Sequence, residues 1–531
     1  MDSSLVNAVH ELSSRGLVKA ARWAAEALDG IEVEVEATAA TPIKPSTLLG
    51  KAYFDNREYN RCWHYLNKQQ SLDSVGQFLA IYARYLAGEI EKENSDDGTF
   101  KTGAAGSQNP YLAGLLRQVE ISQDPFLLYL KGVLQRRMGD EDGAIDALVQ
   151  SISGYNFNWS AWQELLACLG KPGDFTKILA QLKTDDKIDK NMLNFFIVYG
   201  NQEFFLPQTR SVQALLELKS KFPSFAFVDI QRALISIHNL DYDDAEVIFA
   251  KVLEDDPYRL DDLDHYSNML YVTEQQGKLS KLAYTVAKTD KFRAESCFII
   301  ANYYSLNGEH ERAVTYYQRA LISSRQHLPA WTLLGHEFVE LKNTHAAIEC
   351  YRTAVDINKR DFRAWYGLGQ AYEVLDQYQY AQYYYQNALG LHPGDVRMWA
   401  ALANSCEKLH QYDKAISIYE QALRIASVDS FLSYKLGTLY ELIGDSSQAL
   451  KCMQACVELD SGEDQDAEQD EEWVGQAHLW LARRALKNGA WEDAHRHATA
   501  AEGNIQLLED ARAIVRDAAS RLRVRGNGEI A

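Results

Sequence analysis

The sequence predicts an all-α solenoid made of repeated helix pairs, because one pattern of side chains recurs at a fixed spacing. Trp331, Trp365 and Trp399 lie 34 residues apart, since 365 − 331 = 34 and 399 − 365 = 34. After each tryptophan, large, small and aromatic or apolar residues follow in the same order: Leu334, Gly335, Phe338, Ala347, Tyr351 and Ala354; Leu368, Gly369, Tyr372, Ala381, Tyr385 and Ala388; Leu402, Ala403, Cys406, Ala415, Tyr419 and Ala422.

This period and order of side chains are typical of the tetratricopeptide repeat, in which each unit is a pair of antiparallel helices. Residues three and four positions apart share one face of a helix, so Trp365, Leu368 and Tyr372 form a single stripe. One helix pair can bury such a stripe only by stacking on the next pair. The predicted fold class is therefore an all-α tetratricopeptide-repeat superhelical solenoid.

The regularity of the pattern divides the chain into three regions. Residues 1–225 form a degenerate array, residues 226–505 a regular superhelix, and residues 506–531 a capping helix and tail. Two stretches lack helical periodicity: Glu91–Asn109 is expected to be a mobile insert, and Asp460–Glu472 a solvated acidic loop.

The charge balance limits the classes of partner. With 54 Lys and Arg against 74 Asp and Glu, the net charge is −20, which argues against nucleic acid and favours basic partners. The sequence has no apolar run of about 18 residues and no signal peptide at its start, so we expect an intracellular protein with no membrane partner. The seven cysteines are expected to be buried free thiols, because no His or Cys pair follows Cys452 and Cys456 at zinc-site spacing.

Catalytic motifs are absent from the sequence. It contains no phosphate-binding loop, dinucleotide fingerprint, nucleophile elbow or zinc-protease motif. The nearest approach, Gly335-His336-Glu337, lies inside the first helix of a repeat and has no second ligand four residues on. We therefore expect neither an enzyme nor a cofactor or metal site, and function must come from binding surfaces.

One polar stripe of the first helices repeats with the same period and is expected to line the inside of the superhelix. Amide or imidazole side chains occupy one place, and carboxylates occupy the place three residues on. The amide and imidazole series is Asn268, Asn302, His336, Gln370 and Asn404, and the carboxylate series is Glu373, Glu407 and Glu441. Such a groove can pair the backbone of an extended peptide and neutralise its Lys or Arg side chains. The alternative is that these are ordinary polar residues on a solvated face.

Several longer strings resemble the family of subunit eight of the anaphase-promoting complex, the cyclosome. These strings are Asp264–Val272, Ala301–Leu306, Ala330–Glu337 and Asn358–Gln370, with Arg84–Glu89 and Asn158–Leu165 in the first half of the chain. The resemblance implies a noncatalytic scaffold of a cell-cycle ubiquitin ligase, found in the nucleus and cytoplasm. It also implies a homodimer formed by the amino-terminal repeats, contacts with other tetratricopeptide and scaffold subunits, and a groove for the basic, arginine-containing box of a coactivator. Asn302 and Glu373 fall in strings that match the groove of the family.

Two other classes of protein remain as alternatives. A cochaperone that grips an acidic peptide terminus would need Lys and Arg on the concave stripe, where this sequence has Glu. A regulatory array of a glycosyltransferase would need a catalytic domain, for which the repeats leave no room. A generic tetratricopeptide interaction adaptor is the broadest alternative.

Overall fold

The fold is described from a computed structural model of the chain. The structure describes residues 2–18, 20, 23, 24, 27, 50, 51, 53–69, 72–95, 109–204, 206, 208–426, 429–458, 467–501 and 507–528. Across these ranges every regular element is a helix, which confirms the predicted all-α solenoid. The chain forms two compact units: unit 1 comprises Met1–Leu341 and Arg352–Arg360, and unit 2 comprises Lys342–Tyr351 and Asp361–Ala531.

Unit 1 consists of a series of helices. In chain order they are α1 (Asp2–Ser14), α2 (Tyr59–Asn67), α3 (Ser74–Ser95), α4 (Leu112–Val119), α5 (Pro125–Met138), α6 (Glu141–Gly154), α7 (Trp159–Cys168), α8 (Pro172–Thr184), α9 (Lys190–Glu203), α10 (Thr209–Lys221), α11 (Ala226–His238), α12 (Tyr242–Asp255), α13 (Leu263–Val272), α14 (Gln276–Thr289), α15 (Ala294–Leu306), α16 (His310–Ser323) and α17 (Leu328–Glu340).

Unit 2 continues the same pattern. Helix α18 (Thr344–Ile357) contributes its residues up to Tyr351 to this unit and the rest to unit 1. The remaining helices are α19 (Phe362–Val374), α20 (Tyr378–Leu391), α21 (Val396–Lys408), α22 (Tyr412–Ile425), α23 (Ser430–Ile443), α24 (Ser446–Glu458), α25 (Ala467–Lys487), α26 (Trp491–Ala501) and α27 (Leu508–Gly528).

The turn inside each helix pair from α11 to α24 has the same backbone conformation. Seven residues at intervals of 34 have a positive φ: Leu240, Glu274, Gly308, Lys342, Asp376, His410 and Gly444. A left-handed residue just after a helix lets the following amides reach the last carbonyls, as Asp241 N does at Ser236 O (2.9 Å). The repeat is therefore set by backbone geometry as well as by the pattern of apolar side chains.

The two helices of a pair approach closely where a glycine on the first faces a large side chain 16 residues later. A Cβ added to Gly369 would lie 2.3 Å from the ring of Tyr385, and one added to Gly437 would lie 2.9 Å from Met453. The same spacing recurs in unit 1 for the pairs Gly50 with Leu66 and Gly132 with Leu148. Glycine is required at these places because the opposing side chain fills the space of a Cβ.

Two of the hydrophobic core clusters of unit 1 meet at α11. The first extends from Leu5 to Ile235 and includes the stacked rings of Trp23 and Trp159, whose centroids are 5.2 Å apart. The second begins at Ile230. The predicted boundary at 225/226 lies close to this change of core, whereas the two compact units divide near residues 341–361.

Two predictions about inserts need correction. Residues 91–95 continue α3, and Asn109 is buried, donating hydrogen bonds to Tyr85 O (3.0 Å) and Glu89 Oε1 (2.9 Å). Helix α25 begins at Ala467, so the second half of the predicted acidic loop is helical. The rest of both predicted inserts, residues 96–108 and 460–466, lies outside the described residues.

Three further observations concern the chemistry of the chain. The seven cysteines are free thiols; six are buried, as the sequence predicts, whereas Cys452 is half-buried. Within the described ranges, no group of three His, Cys, Asp or Glu side chains could hold a metal ion. In the same ranges, none of the helices has the length and apolar character needed to span a membrane.

The left-handed turn generates a stability prediction. Leu240 has φ +62° and its side chain is 71% exposed, so little burial is lost on truncation. We expect Leu240→Gly to stabilise the protein by roughly 0.5–1 kcal/mol, because the left-handed penalty of about 1–2 kcal/mol exceeds the entropic cost of glycine. The measurement is the midpoint of urea unfolding followed by circular dichroism.

The matched control for Leu240 is Leu216, which is similarly exposed (68%) but lies inside α10. Leu216→Gly should destabilise by about 1 kcal/mol, because glycine is a poor residue for a helix interior. If both variants shift the midpoint in the same direction, the turn does not carry the strain inferred for it.

Candidate functional site

A cleft of about 490 Å³ opens in unit 2 between successive first helices. It is bounded by α19, α21 and α23, with one residue from α20 and one from α25. Its lining residues are Tyr366, Gln370, Glu373, Tyr385, Val396, Arg397, Ala400, Ala401, Asn404, Asp429, Phe431, Leu432, Lys435 and Trp473. The cleft therefore lies on the polar stripe that the sequence predicts as a binding surface.

The carboxylate of Glu373 is held in one orientation inside this cleft. Tyr385 donates its hydroxyl to Glu373 Oε2 at 2.6 Å, and Asn404 donates Nδ2 to Glu373 Oε1 at 2.8 Å. A carboxylate has about four acceptor positions, so two remain for a ligand after these bonds are made. Because each oxygen has its own donor, the group is ordered before any ligand arrives.

Tyr385 connects the core of its repeat to this cleft. Its ring is fully buried against Gly369, and only the hydroxyl reaches the polar stripe. Burial raises the pKa of Tyr385 well above its usual range, and the hydrogen bond to Glu373 raises it further. The hydroxyl therefore keeps its proton and acts as a donor at physiological pH.

Other residues that line the cleft are aromatic or cationic. The rings of Phe431 and Trp473 meet edge to face with centroids 5.1 Å apart, and Lys435 Nζ lies 5.9 Å from the Phe431 centroid. Arg397 forms an ion pair with Asp395 (2.9 Å). Burial would raise the pKa of Asp395, but the hydrogen bonds and charge of Arg397 lower it below its usual range. A ligand in the cleft would therefore meet an oriented carboxylate, aromatic rings and cations.

The structure brings together three of the eight residues predicted from sequence: Gln370, Glu373 and Asn404 line this one cleft. Glu407 and Glu441 belong to the same unit but do not line it. Glu407 Oε2 is buried and has no hydrogen-bond partner among the described residues. Glu441 is exposed and accepts a hydrogen bond from Trp480 Nε1.

The other three predicted residues lie in unit 1, and the placement of Asn302 needs correction. Asn302 is fully buried, donating to Ser267 Oγ (3.0 Å) and accepting from the Tyr317 hydroxyl (2.6 Å). The sequence pattern assumes a solvated face on this helix, but every residue from Ser296 to Asn302 is buried. Asn302 is therefore a polar core residue in this structure, whereas Asn268 and His336 are half-buried.

Glu337, next to His336, also belongs to the core of unit 1. It is 3% exposed, accepts from Ser305 Oγ (2.5 Å), and lies 2.8 Å from His310 Nδ1. Both carboxylate oxygens thus have a partner inside the packed helices. Glu337 is therefore part of the repeat packing.

Sequence reasoning missed the aromatic and cationic residues of the cleft. The sequence predicts Tyr385 only as a core residue, because the repeat pattern indicates where the ring packs but not what the hydroxyl contacts. Arg397, Phe431 and Lys435 occupy places that vary between repeats, so periodicity does not mark them. For Trp473, the sequence offered one signal of a role in binding: it is an aromatic residue directly after an acidic run.

Comparison with known proteins gives two family matches. Residues 1–47 and 34–233 match the family model described as anaphase promoting complex subunit 8 / Cdc23. Residues 245–517 match the model of the cilia and flagella-associated protein 70 C-terminal domain. The second match covers the regular repeats, whose pattern is set by helix packing and is shared by unrelated arrays.

Individual relatives agree with the first match. The chain is 37% identical to the anaphase-promoting complex subunit 8 of Arabidopsis thaliana, over 64% of this chain and 65% of the relative. It is 33% identical to the anaphase-promoting complex subunit CDC23 of Saccharomyces cerevisiae, over 65% of this chain and 70% of the relative. The chain thus spans about two thirds of the length of these two relatives.

A solved structure supports the fold alone. A chain in the crystal structure of the APC/C hetero-tetramer Cut9-Hcn1 superposes with a TM-score of 0.57 at 16% identity. The alignment covers 98% of this chain and 96% of that one. Similarity at this identity supports the helical solenoid fold and carries no functional argument.

The bond between Tyr385 and Glu373 can be tested against the next repeat, where Tyr419 is buried but its hydroxyl has no partner among the described residues. We expect Tyr385→Phe to destabilise the protein by roughly 0.5–1.5 kcal/mol, the net value of a hydrogen bond, or more because the acceptor is charged. Tyr419→Phe should be neutral or slightly stabilising, because it removes a buried polar group that lacks a bond. Equal losses for the two variants in urea unfolding would refute the special role of Tyr385.

Proposed function

Because this chain belongs to the family of anaphase-promoting complex subunit 8/Cdc23, we propose that it is a noncatalytic scaffold subunit of the anaphase-promoting complex. It assembles with other tetratricopeptide and scaffold subunits in the nucleus and cytoplasm, and other subunits carry out the ligase chemistry. The absence of catalytic motifs from the sequence supports this role. An array of stacked repeats also suits it, because such arrays present extended surfaces for several partners.

The second part of the proposal is that the cleft of unit 2 receives an arginine-containing basic segment of a coactivator. The observation that carries this proposal is the orientation of Glu373 by Tyr385 and Asn404, at 2.6 and 2.8 Å. Arg binds carboxylates best when both groups are fixed, because two parallel hydrogen bonds then form at once. The amide of Gln370, on the same cleft wall, is placed to pair the backbone of such a segment.

The interaction free energies expected for the two cases favour a specific contact at Glu373 over a diffuse attraction between charges. Exposed ion pairs contribute only about 0.2–1 kcal/mol. A guanidinium bound by the partly shielded carboxylate of Glu373 gains roughly 1.5–3 kcal/mol, since a charge-assisted hydrogen bond is stronger than a neutral one. Aromatic side chains beside the arginine would add contact area against Phe431 and Trp473.

The cations of the cleft support one alternative function, that of a cochaperone. Arg397 and Lys435 are the residue types with which a cochaperone grips the carboxylate of an acidic peptide terminus. Arg397 is already paired with Asp395, and Lys435 lies near the Phe431 ring. Competition between a basic and an acidic peptide therefore separates the two functions.

The binding prediction uses charge reversal at Glu373. We expect Glu373→Lys to weaken binding of an arginine-containing coactivator peptide about tenfold or more, because about 1.4 kcal/mol corresponds to a factor of ten. Glu373→Gln, which keeps the size and the acceptor for Tyr385, should lose a large part of the same affinity. Fluorescence anisotropy with a labelled peptide measures both.

Glu349→Lys is the control with the same change of charge, since Glu349 is exposed in α18 and belongs to unit 2. It should leave affinity nearly unchanged, and all three variants should keep the helicity of the wild type. If Glu349→Lys weakens binding as much as Glu373→Lys, bulk charge explains the effect and the specific site is wrong. Tighter binding of an acidic peptide than of the basic one would favour the cochaperone alternative.

We also propose that the chain forms a homodimer through its amino-terminal repeats. Residues 1–225 depart from the repeat consensus, as expected where a repeat surface is specialised for assembly. Light scattering at micromolar concentration should report about twice the chain mass of 60.1 kDa. A monomeric mass that persists as concentration rises would contradict this prediction.

A further inference from the structure

The turns between successive helix pairs share one place that is filled differently from repeat to repeat. Tyr258, Phe292, Gln326 and Arg360 occupy it at intervals of 34 residues, and all four belong to unit 1. Tyr258 is 77% exposed and Phe292 78%, so these two side chains project into solvent. Gln326 and Arg360 instead contact helices from much earlier in the unit. The place therefore changes from a solvent position to a contact position along the array.

Arg360 contacts the ends of two helices, α7 and α9. Its Nη1 donates a hydrogen bond to Leu166 O at 3.2 Å, and its Cζ lies 4.8 Å from the centroid of the Phe204 ring. Leu166 belongs to the last turn of α7, where the carbonyl groups form the negative end of the helix dipole. Phe204 directly follows α9, and an aromatic face attracts a cation placed over it. These two helix ends thus provide a site for a guanidinium group.

The surroundings of Arg360 offset part of the cost of burying its charge. Burial lowers the pKa of Arg360, and the negative charge of Glu203, at the end of α9, acts in the opposite direction. Asn358 Oδ1 accepts from the backbone N of Arg360 at 3.0 Å and from its Nε at 3.4 Å. Separate acceptors and an aromatic face suit a planar cation with several donors better than a compact ammonium.

A second contact lies one repeat earlier and also uses a guanidinium. With its Oε1 facing α5, Gln326 accepts from Arg137 Nη1 at 3.2 Å and from Nη2 at 3.3 Å. Arg137 in turn donates Nε to the Tyr85 hydroxyl at 3.2 Å. Two consecutive turns of the regular repeats thus meet α5, α7 and α9. These contacts join the early and late parts of unit 1.

We propose that Arg360 is a releasable contact, the Arg360 latch: its guanidinium occupies the site at the ends of α7 and α9 and holds unit 1 closed, and the vacated site binds a guanidinium from outside. Arg360 lies in a turn after α18, so its release leaves the helices intact. An arginine of a partner offers the same group and favours the open state by competition. The net charge of −20 favours basic partners of this kind.

Distances between spin labels test the Arg360 latch in the full-length chain. Lys171→Cys and Asp356→Cys place labels at exposed residues, one soon after α7 and one in the last turn of α18. Cys452→Ser removes the native thiol that is not buried. We expect Arg360→Ala to raise the population of longer distances several-fold, because the bond and the ring contact that hold the two sides together are lost. Double electron–electron resonance measures the distance distribution.

Arg117→Ala is the control with the same change of charge, since Arg117 is exposed on α4 of the same unit. It should leave the distances unchanged. Arg360→Lys keeps the charge but lacks the planar fork, so it should open unit 1 nearly as much as Arg360→Ala. Circular dichroism should show the helicity of the wild type for all three variants. Unchanged distances in both Arg360 variants, or an equal change in Arg117→Ala, would overturn the proposal.

Chemical rescue tests the guanidinium site itself. Ethylguanidinium at millimolar concentration should restore the short distances in Arg360→Ala, because it supplies the missing group. The same concentration of ethylammonium, which has the charge without the planar fork, should not. Adding Phe204→Leu to Arg360→Ala should weaken the rescue several-fold, because the aromatic face is removed. Equal rescue by the two cations, or no rescue by ethylguanidinium, would overturn the assignment of the site.

Discussion

The close contact between Gly369 and Tyr385 is the constraint on which the cleft of unit 2 depends. Without a Cβ on the first helix, the tyrosine ring of the second helix packs directly against its backbone. That position brings the hydroxyl within 2.6 Å of Glu373, a residue that lines the cleft. One packing contact therefore serves both the stability of the repeat and the orientation of a carboxylate.

Neighbouring repeats illustrate what the glycine contributes. One repeat on, Ala403 occupies the place of Gly369, Tyr419 that of Tyr385 and Glu407 that of Glu373. There the tyrosine is again fully buried, but its hydroxyl and Glu407 Oε2 have no hydrogen-bond partner among the described residues. The same side chains thus make the bond where the facing residue is glycine and fail to make it where that residue is alanine.

The sequence predicted the architecture because period and order of side chains are direct consequences of helix packing. It placed Gln370, Glu373 and Asn404 on one surface, since their spacing fixes the helix face they share. It failed at Asn302, because the burial of α15 on both faces depends on neighbouring helices and not on its own period. The sequence analysis also overlooked Trp473. This residue lines the cleft but belongs to α25, which follows a stretch of chain with no repeat pattern.

A double-mutant cycle on unfolding free energy tests this account most directly. Tyr385→Phe is measured in the wild type and again in a Gly369→Ala background, with Gly394→Ala as a second background, since a Cβ at Gly394 meets nothing within 4 Å. The account predicts that loss of the hydroxyl costs roughly 0.5–1.5 kcal/mol in the wild type and in Gly394→Ala, but almost nothing in Gly369→Ala. An equal cost in all three backgrounds would show that the glycine does not position the tyrosine, and would contradict the account.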